Sequence, residues 1–495
     1  MSRDTFTFSS AALHSLKVDQ ELQEWEDKRQ ALAHRRAMSR PPVSRASRPP
    51  PRQQRGLQEI RVYEARCRDT TIHNTFMCGD MKGVHTVLKD PCMVNALMET
   101  VHEEMVWAPE LGMWTMSSKI KQTSALRLAA SKGHSGCVEE LLFRGAEVDA
   151  DPGGSTALHD ACIGGHDSCI QLLLSHGADP DLLAEDSSAP LHLCNTAQTF
   201  QCAELLVTGG AEVNVLTSET KLTPLHVVAR RGLEEHVKLF LSHGADVSAR
   251  NREGETPLNA ACGGAERPAE AGRYLRVVQM LLGAGAEPCT AGRKHHTPLH
   301  NACSNCSPRI AEILLQHGAK ADVQNCAGYC MDCLLQVVED YPDQHPEAVA
   351  RSLLNHGAKA GKSLMLKLCL LSPATLEVML NCYAVVPSCE EWMQSIPLEI
   401  HEVCLSSVFS SLLHCLSHLM SSSLSLTIPH HLSQTHQGFF DSVRQMTSQP
   451  RSLQHLCRCA LRRHLGKGID AAISRLDIPS SLMEYLLLRN DGEIQ

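Results

Sequence analysis

Two cysteine pairs at metal-binding intervals, Cys303-x-x-Cys306 and Cys330-x-x-Cys333, are the residues of this sequence whose spacing first suggests chemistry. Thiolates so spaced can hold zinc. Cys303, however, shares its repeat phase with Cys162 and Cys262, so packing of a small side chain already accounts for it. Four histidines, His159, His192, His226 and His300, could act as bases or ligands. They too recur in strict phase, which assigns them to hydrogen bonds between adjacent loops. Gly357 and Gly361-Lys362-Ser363 fall one residue short of a phosphate loop, and His102-Glu103-Glu104 lacks the second histidine of a zinc-protease helix. There is no serine nucleophile elbow. With no convergent catalytic set, the chain is expected to be non-catalytic, with no metal and no cofactor.

The elements that must carry these residues are set by composition and period. The 495 residues are 43% hydrophobic and 20% charged, a globular balance, with aromatics at only 4%. That argues against large sheets with aromatic pairing and for close helix-on-helix packing. A net charge of −9 gives no signature of nucleic-acid binding. The N-terminal residues contain no apolar signal core, so the 22 cysteines are expected reduced, in a cytoplasmic protein. Val403 to Gly438 lacks charge but is rich in Ser and His and broken by Pro429, so it reads as low complexity rather than a membrane span.

The middle of the chain repeats. Thr223-Pro224-Leu225-His226 and Thr297-Pro298-Leu299-His300 are echoed by variants starting at 124, 156, 189 and 256, in steps of 32, 33, 34, 33 and 41. A Gly-Ala pair recurs in step at Gly145, Gly177, Gly210, Gly244, Gly285, Gly318 and Gly357. Two markers sharing one period define a stacked array. Thr caps and Pro opens a first helix, Ala-Cys pairs keep it slim, a Leu-rich second helix follows, and Gly ends it.

These residues resemble the ankyrin repeat, which implies an all-α solenoid of helix-turn-helix units with finger loops. The divisions expected are a helical lead at 1–38, a basic Pro/Arg linker at 39–69 and a degenerate first unit with an insertion at 70–122. Ankyrin repeats at 123–360, a degenerate helical cap at 361–404 and the Ser/Leu/His-rich stretch at 405–440 follow. Ten basic residues against one acidic between Lys28 and Arg61 make the linker a charged tether, with nuclear entry as the alternative reading.

Residues 450–490 decide the functional expectation. Leu453, Cys457 and Leu461 lie at i, i+4 and i+8 on one helix face with Leu456 beside them; Arg458, Arg462 and Arg463 lie opposite. This tail resembles a three-helix SOCS box, and the whole chain resembles the ankyrin repeat and SOCS box family. The resemblance implies a substrate-recognition subunit of a cullin–RING ubiquitin ligase. Leu453, Leu456, Cys457 and Leu461 would dock elongin C, with elongin B alongside. Leu476, Ile478, Pro479, Leu482, Tyr485 and Leu486 would select a cullin of the cullin-five type with its RING protein. Asp477 and Ile478 depart from the Leu-Pro-Leu-Pro pattern of that motif.

An unidentified protein target would lie across the fingers, where Asp151, Glu185, Asp186, Glu219, Lys221, Arg250, Arg252, Arg293 and Lys294 are candidates. The competing reading is an ankyrin scaffold whose last helices only cap the stack. The two part on whether the ridge of Leu453, Cys457 and Leu461 is free to dock.

Overall fold

The structure, a computed structural model, describes residues 65–108, 113–326, 328–338, 344–358, 369, 372–383, 451–466 and 469–489. The chain divides into units 1–62 and 63–495, and every described residue belongs to the second. The expected helical lead, most of the basic linker and the 405–440 stretch lie outside the described residues. Among the described residues, no helix is long and apolar enough to cross a membrane.

Among the described residues, eight helix pairs follow one another: α1 (Thr70–Cys78) with α2 (Met81–Val87), α3 (Ala125–Ser131) with α4 (Ser135–Phe143), and α5 (Ala157–Gly164) with α6 (Asp167–Ser175). Then come α7 (Pro190–Leu193) with α8 (Phe200–Thr208), α9 (Pro224–Arg230) with α10 (Glu234–Ser242), and α11 (Pro257–Gly264) with α12 (Ala271–Gly283). The last pairs are α13 (Pro298–Ser304) with α14 (Pro308–Gln316) and α15 (Cys330–Val337) with α16 (Pro346–Asn355). The remaining described helices are α17 (Pro373–Leu380) and, in the tail, α18 (Leu453–Leu465), α19 (Ile469–Ile473) and α20 (Ser480–Leu486).

The first helices of the six pairs from α3 to α14 start where the repeat motif places them, because the motif satisfies the helix's orphan N–H groups. Thr223 caps α9 and accepts from the His226 amide, while His226 Nδ1 lies 2.8 Å from Thr223 Oγ1 and 3.3 Å from the Thr223 nitrogen. The other ring nitrogen then spans to the next unit: His226 Nε2 donates to Glu255 O at 3.0 Å, His192 to Leu222 O at 3.0 Å and His159 to Ser188 O at 3.1 Å. Phase thus becomes a staple between neighbouring repeats. His300 differs. The unit after it opens with Tyr329-Cys330 instead of Thr-Pro, and His300 lies beside the Cys330 thiol rather than reaching a backbone carbonyl of that unit.

Small residues on the first helices (Ala129, Ala161, Cys162, Ala229, Ala261, Cys262, Ala302 and Cys303) are fully buried, which lets successive helices approach closely. Leu141, Leu173, Leu206, Phe240, Leu281, Leu314 and Leu353 of the second helices fill the space behind them, each contributing roughly 1.5–3 kcal/mol by leaving water. Gly177, at φ 86, ends its unit in the left-handed conformation that permits the turn into the finger. The step of 41 is absorbed between α11 and α12, where a short 3-10 turn (Pro268–Glu270) and a longer α12 take up the extra residues.

The insertion at 90–122 is not an irregular loop. Strands β2 (Leu97–Ala108) and β3 (Met113–Thr123) form a long antiparallel hairpin, joined in parallel at its base by β1 (Arg66–Cys67). Glu99 anchors that base, accepting from Arg68 Nε at 2.9 Å and Gln122 Nε2 at 3.3 Å, with Arg66 at 3.6 Å. The Arg68 guanidinium holds the Glu99 carboxyl below the usual range. The all-α description therefore fits the repeats and the tail but not this insertion. The low aromatic content also misled locally, since Trp107 and Trp114 face each other edge-on at 5.7 Å across the hairpin.

Candidate docking site on the C-terminal helices

Helix α18 begins at Ser452, whose side chain accepts from the His455 amide, and ends at Gly466 after Arg462, Arg463 and His464. Basic residues in the last turn suit the helix's negative end. Its burial runs opposite to an ordinary amphipathic helix. Leu453 is 77% exposed, Cys457 is exposed, and Leu456 and Leu461 remain 38% and 37% exposed. The buried side carries His455, Arg458, Cys459 and Arg462.

Arginines tolerate that interior because they meet backbone carbonyls where helices α17 and α20 end, and the side-chain amide of Asn355 on α16. Arg458 Nη2 donates to Asn381 O and Oδ1, both at 3.2 Å, and Arg451 Nη2 donates to Leu380 O at 3.3 Å. Arg462 Nη1 donates to Asn355 Oδ1 at 2.9 Å and to Leu486 O at 2.6 Å; Asn355 Nδ2 returns a bond to Leu487 O at 3.1 Å. The Arg458 guanidinium also stacks over the Tyr485 ring at 4.3 Å. Helix C-termini concentrate unsatisfied carbonyls and partial negative charge, so they receive cations without a carboxylate partner. Arg463 points to solvent instead. The repeats thus hold the basic side of α18 and leave its apolar ridge outward.

His455 Nε2 donates to Tyr383 O at 2.8 Å, and burial pushes its pKa down to about 4. Burial likewise lowers His159, His192 and His226, and brings His236 to about 4. A folded pKa below the unfolded value of about 6.5 means that the unfolded chain binds more protons between those values. The stabilisation is complete above about pH 6.5 and is lost as pH falls towards 4. Hydrogen-exchange protection of Leu453–Leu465, corrected for intrinsic rate, is expected to fall between pH 7.5 and 5; constant protection contradicts this account of the seam.

The residues expected to select a cullin separate into two groups. Leu476, Pro479 and Leu482 are exposed, and Ile478 is half-buried. Tyr485 lies beneath Arg458, and Leu486 joins Ile469, Ile473 and Leu487 in the small core of the tail. These two residues hold the tail together and are not displayed to a partner on this surface. Leu488 goes further and packs into the main core of the repeats.

The finger candidates fall in one row. Backbone bonds stitch neighbouring fingers together, from Glu185 N to Gly154 O at 2.7 Å, from Arg252 N to Thr220 O at 2.8 Å, and from Arg293 N to Glu253 O. Asp151, Glu185 and Asp186 are exposed at one end, Glu219 and Lys221 in the middle, and Arg250, Arg252 and Arg293 at the other end. Lys294 lies in the turn with Arg293, and its side chain is outside the described set. These candidates run from acidic to basic, with exposed Glu253 paired to Arg293 at 3.5 Å within the basic end. An open groove between its acidic fingers and the first helices is lined by Gly154, Ser155, Ile163, Ala184, Glu185, Asp186 and Leu193. Ile163 and Leu193 were absent from the sequence candidates because a lone apolar residue on a first helix reads as core.

The apolar outer face of the hairpin was missed as well. Its signal was present as alternation, Val101-x-x-x-Met105-x-Trp107 followed by Trp114-x-Met116-x-x-x-Ile120.

Comparison with known proteins agrees with this architecture. A SOCS box family model matches residues 449–487, an ankyrin repeats (3 copies) model matches 89–184 and 191–290, and an ankyrin repeat model matches 294–323. Human ankyrin repeat and SOCS box protein 16 is 41% identical over 496 residues, covering 100% of both chains. Human ankyrin repeat and SOCS box protein 18 is 42% identical over 80% of this chain and 81% of its own. Mouse ankyrin repeat and SOCS box protein 10 is 32% identical over 88% of this chain and 90% of its own.

Proposed function

The chain belongs to the ankyrin repeat and SOCS box family, and from that premise we propose that it is the target-binding subunit of an elongin B/C–cullin–RING ubiquitin ligase. The observation that carries this reading is the outward ridge of Leu453, Leu456, Cys457 and Leu461 on a helix whose other side is fixed to the repeats. A helix serving only as a cap for the stack would turn its leucines inward and its arginines to water. Leu476, Pro479 and Leu482 supply the exposed apolar positions for a cullin beside elongin C. The finger row receives the target protein.

The chain performs no bond-making step. It raises the local concentration of a target lysine near a ubiquitin-charged enzyme that the RING protein recruits. Reduced thiols fit such a role in the cytoplasm, with the nucleus as the alternative. Mixing the purified full chain with elongin B/C and a cullin-five–RING pair is expected to give one co-eluting assembly on size exclusion. Separate elution of the chain from elongin B/C overturns the proposal.

A further inference from the structure

We propose that the outer face and outer edge of the β2–β3 hairpin dock an extended segment of a partner protein, one in which apolar side chains alternate with Asp or Glu. The register sets Val101 opposite Ile120, Met105 opposite Met116 and Trp107 opposite Trp114, all on one face. These six side chains are 46% to 61% exposed. Together they present on the order of 600 Å² of apolar-rich surface, broken by the Glu103–Ser118 rung that the register sets between Val101 and Met105, at the upper end of what an ordinary monomer leaves in water. β2 lies between β1 and β3, so β3 is the outer strand of the sheet among the described residues. An outer strand of eleven residues is a template for one more strand.

Charge and area choose the occupant. Between Met113 and Thr123 the outer strand carries Lys119 and Lys121 and no acidic residue. A second copy pairing edge to edge would bring lysines against lysines, and the face alone falls short of the roughly 800 Å² per partner of a standard interface. An acidic, alternating strand instead places opposite charges across the edge and extends the apolar face sideways. The fingers continue from the base of this hairpin, since Gly153 sits against the Gln122 carbonyl. A target bound along the finger row therefore has the hairpin as its next contact. Calling the partner a ligase target rests on the proposed function; strand docking itself does not.

The test pans a random dodecapeptide library against the purified full chain. Enriched peptides are expected to alternate apolar residues with Asp or Glu. Their affinity is expected to drop about tenfold or more on N-methylation of alternate amides, in the double variant Trp107→Ser/Trp114→Ser, and in Lys119→Glu/Lys121→Glu. The lysine variant leaves the apolar face intact and so guards against misfolding of the tryptophan variant. Elongin capture by both variants is expected to match wild type, which separates failure here from failure of the ligase reading. Peptides indifferent to N-methylation and to both variants overturn the proposal. So does dimerisation lost in the tryptophan variant, capture by phosphatidylcholine vesicles containing phosphatidylserine, or peptide binding that emerges only when residues 1–62 are deleted. Those outcomes assign the face to a second copy, a lipid surface or the chain's own N-terminal segment.

Discussion

Replacing Leu453 and Cys457 together with alanine is expected to weaken elongin B/C binding by about 100- to 1,000-fold, with the melting temperature of the chain unchanged. Hot-spot side chains at the centre of an interface cost roughly 1–3 kcal/mol each on truncation, and about 1.4 kcal/mol is a tenfold change in affinity. Stability should be spared because neither side chain is buried: Leu453 is 77% exposed and Cys457 is exposed. Titration calorimetry with purified elongin B/C reads the affinity, and scanning calorimetry reads the fold. An unchanged affinity would remove the ridge from the interface, and the scaffold reading would then stand.

Arg462→Met is expected to have the opposite profile. Methionine keeps much of the apolar stem but donates nothing, so Asn355 Oδ1 and Leu486 O lose their buried donor. Each orphaned acceptor costs roughly 1–3 kcal/mol, so the tail should be weakened by about 2–6 kcal/mol relative to the repeats. Denaturant unfolding followed by hydrogen exchange is expected to show residues 453–489 opening in a separate, earlier transition. Elongin affinity should stay within about threefold of wild type, because the ridge lies on the other side of the helix. A single transition identical to wild type would mean that the arginine seam does not position the box.

These two variants divide one helix by its faces, and the sequence revealed only half of that division. The i, i+4, i+8 spacing of Leu453, Cys457 and Leu461 and the arginines opposite were legible from periodicity alone. Which side faces the protein was not. Apolar burial is the usual rule, and here the ends of α17 and α20 reverse it by presenting backbone carbonyls to arginine, with the Asn355 amide beside them. The same blindness applies to Tyr485 and Leu486, expected at a cullin surface and found inside the tail.

The solenoid was written into the sequence by itself. Thr-Pro starts, phased histidines and Gly-Ala ends are local signals that repeat, and each unit contacts its neighbours, so period alone specifies the stack. The anchoring of the hairpin's base and the seating of the buried arginines were settled only in three dimensions. They depend on contacts between residues distant in sequence, Glu99 with Arg68, Arg458 with Asn381, Arg462 with Asn355, and no spacing rule encodes such pairs.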